Sequence, residues 1–470
     1  MGFDFLDLGF PKSGTDWKSI NGKPYITVSA KGRSNQLSNK INDGTDFGPD
    51  TTLNATSPNQ TGPPYSPTLG IEEAILYSIA TGTGIIKLLP GIYDLTNAPL
   101  HTDPISGQQY KIYIPSIPNT SPTVNLSIIS DVFTKPGLGG VISTSVCGAV
   151  IQSLDIVTAP NAFTAFIFGA FTYTDAQGGT NVNLYIDGIG FKTNTSASND
   201  LGGIDVHNAA TCSFGMLAIN TNYSGEAPST YNTATGLYWM VGGSNNSQIY
   251  GGSISITGYM YGLLSDLPHT HIDQLSFYYC NIGLLNQSGS RYGGDISYFE
   301  AQVTQYGIRI GANLLSLHIG TYNQADQASS GTFVYQYSIV TNGPTVIIID
   351  MYSVGTSGLG PNFAIASGSR VLIKSWGLNS AGIGPYSPTV TTPAVPASAT
   401  AQANTNPFPV NVYLYGGTVT EIQITKNGTA YTVFSNATGL ALSGQVYKLN
   451  PSDSITVTYT SAPTWEWLSD

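Results

Sequence analysis

Charge is what this sequence has least of. Asp, Glu, Lys and Arg make up 9% of its 470 residues, against roughly 25% in an average soluble domain. The surface must therefore be covered by Ser, Thr, Asn, Gln, Gly and the 29 tyrosines. Such an uncharged, hydrogen-bonding coat suits contact with glycans, or a medium in which carboxylates lose their charge. The few charges sum to −11 and form no basic stripe, which argues against nucleic-acid binding. Cysteine is scarce too. Cys147, Cys212 and Cys280 lie 65 and 68 residues apart, and an odd number without a short spacing argues against a zinc knuckle and a disulfide framework. Buried thiols are expected, with one disulfide between neighbouring coils left open. No run of 18 apolar residues occurs, so no membrane-spanning helix is expected. Met1–Lys12 has no basic n-region and no long apolar core, so no signal peptide is recognisable.

What the sequence does have is a repeat. Gly203-Ile204, Gly236-Leu237, Gly262-Leu263, Gly283-Leu284 and Gly307-Ile308 are spaced by 33, 26, 21 and 24 residues. Each is followed by a second short apolar segment, such as Ile249–Ile256, Ile272–Tyr279 or Ile296–Val303. A repeat of this length, built only of short strands and turns, is the signature of a solenoid. From about residue 110 to 380 the chain is a succession of four- to eight-residue apolar strands. At about 24 residues per coil and about 4.8 Å between stacked strands, this body predicts on the order of 11 coils and a rod of roughly 50 Å.

The flanks differ from the body. Residues 1–68 are polar and weakly patterned and read as an N-terminal arm or attachment region. Asp43, Asp46 and Asp50 do not match a calcium loop. Residues 69–81 predict a helix, with Ile71, Ala74, Ile75 and Ile79 on one face and Glu72 and Glu73 in the first turn, where the helix dipole favours them. The Pro-, Ala-, Ser- and Thr-rich stretch 384–406 predicts a linker, and 407–470 a compact β-sandwich-like module with Gly-Gly, Asn-Gly and Asn-Pro turns. Ten Asn-x-Ser/Thr sequons are scattered along the chain.

The acidic segment Asp43–Asp50, the helix Ile71–Ile79 and the strand and turn Leu88–Tyr93 together resemble the entry to the pectate-lyase-like right-handed β-helix family, which includes viral tail spikes and polysaccharide-degrading enzymes. The resemblance implies an all-β, right-handed parallel β-helix over 69–383, plugged at one end by the helix. It departs from the family through the insertion between Asp50 and Leu69. The 407–470 module is similar to the small C-terminal β-domains of tail fibres and other virion surface proteins. Polygalacturonase-like members use an Asn-x-Asp, an Asp-Asp pair, a His-Gly and an Arg-x-Lys. Asp-Asp and His-Gly are absent here, Arg370 and Lys374 do not form the triplet, and no clustered Asp set for pectate-lyase calcium chemistry is visible.

Candidate site residues follow from strand parity. In GGIDVHN the apolar Ile204 and Val206 point inward, so Asp205 and His207 point out. Aligning coils on the repeated glycine adds Asp266 to the column of His207. Asp205, His207 and Asp266 are therefore the catalytic candidates, since glycan cleavage needs paired acids. His269, His271 and Asp273 alternate on one strand face beside them and read as a polar outer face; no metal site and no cofactor are assigned. Outward aromatics stack on sugar rings while neighbouring amides hold the hydroxyls, which selects Tyr238, Trp239 and Tyr261 as glycan contacts. The reading that results is a virion-surface, tail-spike- or fibre-like adhesin, extracellular and homotrimeric. It attaches to other virion proteins through its N-terminal region and recognises a host-surface glycan or glycoprotein. The alternatives are a polysaccharide-degrading enzyme on the same scaffold and a cellular surface adhesion protein.

Overall fold

The computed structural model describes residues 18–20, 23–30, 46–49, 66–103, 107–114, 124–131, 146–159, 164–170, 180–196, 198–206, 209–221, 232–239, 249–265, 270–287, 293–311, 316–324, 337–354, 363–366, 368–378, 390–406 and 409–469. Two β-bodies account for almost all of them.

The larger body is a parallel β-helix. Strands far apart in sequence stack in parallel register, and the longest of them, such as Thr270–Asn286 and Gly294–Ile310, turn a corner and join two ladders. Among the described residues one ladder stacks eleven strands; nine of them lie between residues 110 and 380, fewer than the coil spacing predicts there, because several coils carry loops longer than the spacing assumes, and the first two rungs precede that stretch. A single inward column runs through the ladder: Ile26, Ile86, Ile128, Ile186, Phe214, Gly251, Ile272, Ile296, Ile319, Ile349 and Ile373. β-branched side chains suit such a column because each covers the one below with little rotamer freedom to lose. Phe214 and Gly251 are the two departures from isoleucine, and Trp239 packs into the space left at Gly251: a Cβ added there would lie 3.3 Å from the indole.

The glycine repeat has an equally direct meaning. Gly203, Gly236, Gly262, Gly283 and Gly307 are stacked neighbours, because Ile204, Leu237, Leu263, Leu284 and Ile308 pair in register. A Cβ at Gly203 would lie 2.4 Å from Ile219 Cγ2 and 2.5 Å from the Gly236 carbonyl oxygen. At Gly262 it would lie 2.4 Å from the Phe277 ring and 2.8 Å from the Gly283 oxygen. The rungs pass too close to one another, and to side chains from the opposite wall, for any side chain to fit.

Helix α1 (Ile71–Thr81) lies where the sequence predicts, with Glu72 and Glu73 in its first turn and Gly82 ending it in a left-handed conformation. Ile71, Ala74 and Ile75 are fully buried in the same core as the first strands. The solenoid begins earlier than residue 69, however. Lys23–Val28 is the first rung, Ile26 and Val28 are core residues, and Phe47 joins them. This rung lies inside the stretch read as an arm, because one strand isolated by turns leaves no period to detect. Asp46 serves as a tie here, its Oδ2 accepting from the Thr27 amide at 2.8 Å and hydroxyl at 3.0 Å. Asp43 and Asp50 lie outside the described residues.

The C-terminal module is antiparallel, five strands in one hydrogen-bonded sheet folded over its own core. The long strand Val410–Lys426 serves both halves, pairing first with Thr464–Ser469 and then with Ser454–Ser461. Thr429–Leu449 covers its other side. Residues 390–406, read as linker, are part of this module. Val390 and Val395 pack on its core, Trp465 Nε1 donates to the Pro393 carbonyl at 2.8 Å, and Ala401–Ala403 pairs with Ser454–Ser461. Proline removes backbone donors from an edge segment, so this composition reads as a tether even where the chain is docked. All three cysteines are buried free thiols.

Candidate functional site

Another ladder of the β-helix positions the site. Its nine strands are Gln109–Ile114, Ala165–Ala170, Leu201–Asp205, Asn232–Tyr238, Tyr259–Leu264, the second halves of Thr270–Asn286 and Gly294–Ile310, Tyr337–Thr341 and Phe363–Ile365. Two outward columns flank the inward glycine-aliphatic pairs. Just before the glycine stand Thr235, Tyr261, Ile282, Tyr306 and then Tyr337. Just after the aliphatic residue stand Tyr113, Gly169, Asp205, Tyr238, Leu264, Leu285 and Arg309.

These residues form an aromatic track along the outside of the solenoid. The half-buried rings of Tyr238, Tyr261 and Tyr306 pack over buried Leu264, Ile282 and Leu285. Tyr306 stacks on Tyr337 at 6.1 Å, and the Arg309 guanidinium sits 5.6 Å from the Tyr306 ring centre, within cation–π range. Toward the N-terminal end Tyr238 meets Phe166 at 6.4 Å, Phe166 meets Tyr110 at 6.4 Å, Tyr110 meets Tyr113 at 5.9 Å, and Tyr113 stacks on His101 at 6.5 Å. Asn281 and Gln305 stand beside the rings, linked by a 3.4 Å hydrogen bond.

Acids gather at the N-terminal end of the track. Asp103 accepts from the Tyr113 hydroxyl at 3.3 Å, and His101 Nε2 lies 3.7 Å from Glu72 Oε2. Burial raises the Glu72 carboxyl to about 8, helped by the adjacent charge of Glu73, while burial lowers His101. At neutral pH Glu72 therefore holds its proton and His101 is neutral.

Asp205 corrects an expectation. It shares the outward column with Tyr113 and Tyr238 but is fully buried. Tyr110 covers it, its hydroxyl donating to Asp205 Oδ2 at 2.8 Å. Gly169, the neighbour of Asp205 in the column, makes this cover possible, since a Cβ there would lie 1.9 Å from the Tyr110 ring. Parity gives the direction of a side chain but not what a neighbouring coil lays over it. His207, Asp266 and His269 lie outside the described residues. Trp239 is the second correction. It is 1% exposed, packs edge-on against Phe214 at 4.9 Å and donates from Nε1 to the Cys212 carbonyl at 3.1 Å, so it is core and no surface contact. Tyr238 and Tyr261 do come together on the track. Tyr306 and Arg309 escape a reading centred on the glycines although both flank the repeated Gly307-Ile308, and Tyr337 takes the corresponding place on a rung where Ser338 replaces the glycine.

A second constellation lies on the ladder of the isoleucine column. Tyr250, His271, Asp295 and His318 stack in register, one residue before Gly251, Ile272, Ile296 and Ile319. His271 bridges Asp273 at 3.1 Å and Asp295 at 2.6 Å; His318 bridges Asp295 at 2.5 Å and Asp350 at 3.0 Å; Lys374 reaches Asp350 at 2.7 Å, and Tyr250 donates to Asp273. Alignment on the isoleucines would reveal this column from sequence. Among the described residues no group of three or more His, Cys, Asp and Glu is arranged to hold a metal.

The His318 imidazole has a carboxylate at each nitrogen and donates to both only when protonated, so its surroundings favour the charged form. Hydrogen bonding to Asp295 raises His318, and hydrogen bonding to Lys374 lowers Asp350. The raised histidine contributes stability that is full below its unfolded value of 6.5 and is lost as pH rises through the higher folded value. The lowered aspartate contributes above its unfolded value of 3.8 and loses that contribution as pH falls through the lower folded value. The network is therefore complete in mildly acidic solution. Because the groups are exposed the network's own share is small, a fall of roughly 1–2 °C in melting temperature between about pH 5 and about pH 8, which adds to the larger loss that the raised Glu72 carboxyl brings as pH rises over the same range. Asp295→Asn is expected to remove the network's share; an unchanged pH profile in Asp295→Asn would remove the network from the account.

No family model and no curated protein matches the chain. One solved structure, described as the enzymatically active domain of bacteriophage CBA120 tailspike protein 2, aligns at 11% identity with a TM-score of 0.32, covering 89% of this chain and 76% of that one.

Proposed function

We propose that the chain is a virion-surface attachment protein of the tail-spike type, whose β-helix binds a host-surface glycan along the aromatic track. The observation that supports this is the track itself, a line of half-buried tyrosines with Arg309, Asn281 and Gln305 beside them. Ring faces present apolar surface to sugar C–H groups, and the phenol, guanidinium and amide groups hydrogen-bond the hydroxyls. In this reading the N-terminal region joins other virion proteins, and three copies associate side by side. The low charge keeps the surface insensitive to an acidic exterior.

The test is binding of host-envelope polysaccharide to the full chain. Tyr261→Ala and Tyr306→Ala are each expected to weaken binding roughly 5- to 10-fold. Undiminished binding by the double variant would discard the track as the glycan site. Mass spectrometry of purified virions and of cell envelopes separates a virion protein from a cellular adhesin.

One observation favours the rival reading, a polysaccharide-cleaving enzyme. Glu72, proton-bearing at neutral pH and 3.7 Å from His101, lies at one end of the track and has the ionisation of a general acid. The attachment reading expects no new reducing ends when the polysaccharide is incubated with the protein. Release that disappears in Glu72→Gln would establish the enzyme instead.

A further inference from the structure

We propose that the C-terminal module carries a separate ligand site, a pocket for one neutral, hydroxyl-rich ring such as a hexose. A cavity of about 200 Å³ opens between the docked segment 390–406 and the last strand, lined by Thr391, Pro393, Gln402, Thr405, Asn406 and Trp467 among others. At about 30 Å³ per water it has room for roughly six or seven waters, close to a single six-membered sugar and far below a peptide or nucleotide.

The lining chemistry selects the ligand. Among the described residues no charged side chain lines the cavity, so a phosphate, sulfate or carboxylate would be desolvated there without a counter-charge from them. The polar groups are amides, hydroxyls and an indole. Trp467 is 2% exposed, and its Nε1 is buried with no hydrogen-bond partner. The neighbouring Trp465 Nε1, by contrast, is satisfied by the Pro393 carbonyl at 2.8 Å. Trp467 Nε1 and Gln445 Oε1 are the two buried side-chain polar atoms without a partner among the module's described residues; a buried N–H left unpaired calls for an acceptor, which a ligand oxygen seated against the indole would supply.

Acceptors and further donors stand around it. Gln402 Nε2 donates to the Ala403 carbonyl at 3.3 Å, and Asn406 Nδ2 donates to Asn404 Oδ1 at 3.0 Å. These bonds use the amide nitrogens, while the two side-chain oxygens have no bond within the chain among the described residues. Thr391 and Thr405 add hydroxyls in the same lining. A sugar hydroxyl both donates and accepts, so a mixed set of this kind matches a ring of hydroxyls. The frame is held in place: Asn404 Nδ2 donates to the Leu449 carbonyl at 3.1 Å, and the Trp467 amide donates to Thr392 Oγ1 at 3.0 Å. The site is thus pre-organised on β-structure, independently of the aromatic track.

The full chain is titrated separately with glucose, galactose, mannose and N-acetylglucosamine, read by tryptophan fluorescence and saturation-transfer NMR. At least one sugar is expected to bind saturably in the millimolar range. Gln402→Ala and Asn406→Ala, on the module surface, are expected to weaken it roughly 10-fold at wild-type melting temperature. Trp467→Phe, which deletes the N–H, should do the same, and Tyr261→Ala should leave it unchanged. Absence of saturable binding by all four sugars means that the cavity holds water only, which overturns the proposal. Binding lost in Tyr261→Ala but kept in Asn406→Ala also overturns it, by assigning the sugar to the track.

Discussion

Gly262→Val is expected to destabilise the solenoid by about 3 kcal/mol or more, the upper end of what overpacking costs. The new Cβ alone would lie 2.4 Å from Phe277 Cδ1, 2.6 Å from Phe277 Cε1 and 2.8 Å from the Gly283 carbonyl oxygen. Phe277 has nowhere to retreat. It is fully buried and packs on Phe299 at 5.6 Å, which in turn meets Tyr322 at 4.8 Å. The Gly283 oxygen belongs to the next rung and is fixed by the parallel ladder. Relief therefore requires two rungs to part or an aromatic stack to shift. Thermal unfolding beside Ser297→Ala, a change at an exposed strand position, measures the effect. Equal melting temperatures for the two variants would mean that the glycine column is not close-packed.

Asp155→Ala is expected to cost about 3–5 kcal/mol, the penalty for stranding a buried charge. Lys111 is almost fully buried, and its ammonium rests on Asp155 Oδ2 and on the Ala98 carbonyl. The same carboxylate accepts from the Asn97 amide at 3.0 Å and the Ser153 hydroxyl at 3.1 Å, tying the loop after Leu95 to the strand Ala149–Ser153. Without it the ammonium keeps one carbonyl and no counter-charge. Adding Lys111→Met removes the stranded charge, so the double variant should recover a substantial part of the loss. Denaturant unfolding reads both. A double variant no more stable than Asp155→Ala alone would show that the pair acts through geometry and not through charge.

The glycine-aliphatic repeat carried much of this architecture in plain view. Its pairs stack in register, although the coil estimate for residues 110–380 exceeds the nine strands that the isoleucine ladder has there. What stayed hidden depends on the third dimension. Asp205 has the outward parity that its neighbours predict, yet Tyr110 reaches it from a strand 95 residues earlier. Trp239 looks like a surface aromatic after Tyr238, yet Gly251 on another coil vacates the space that its indole fills. In both cases a missing side chain, Gly169 or Gly251, invites a large one from elsewhere. The docked segment 390–406 hid for the opposite reason, since its prolines erase the strand period while Val390 and Val395 still find the module core.

The aromatic track is built on rungs that repeat every 4.8 Å or so. For a polymer lying lengthwise along it, this turns the solenoid into a vernier. Only a chain whose own chemical period is commensurate with the rung spacing meets Tyr238, Tyr261, Tyr306 and Tyr337 in the same phase. A chain with another period drifts out of step after two or three contacts. Discrimination then grows with the length engaged and not with any single ring, and one rung inserted or deleted between Tyr261 and Tyr306 would retune it without changing a contact residue.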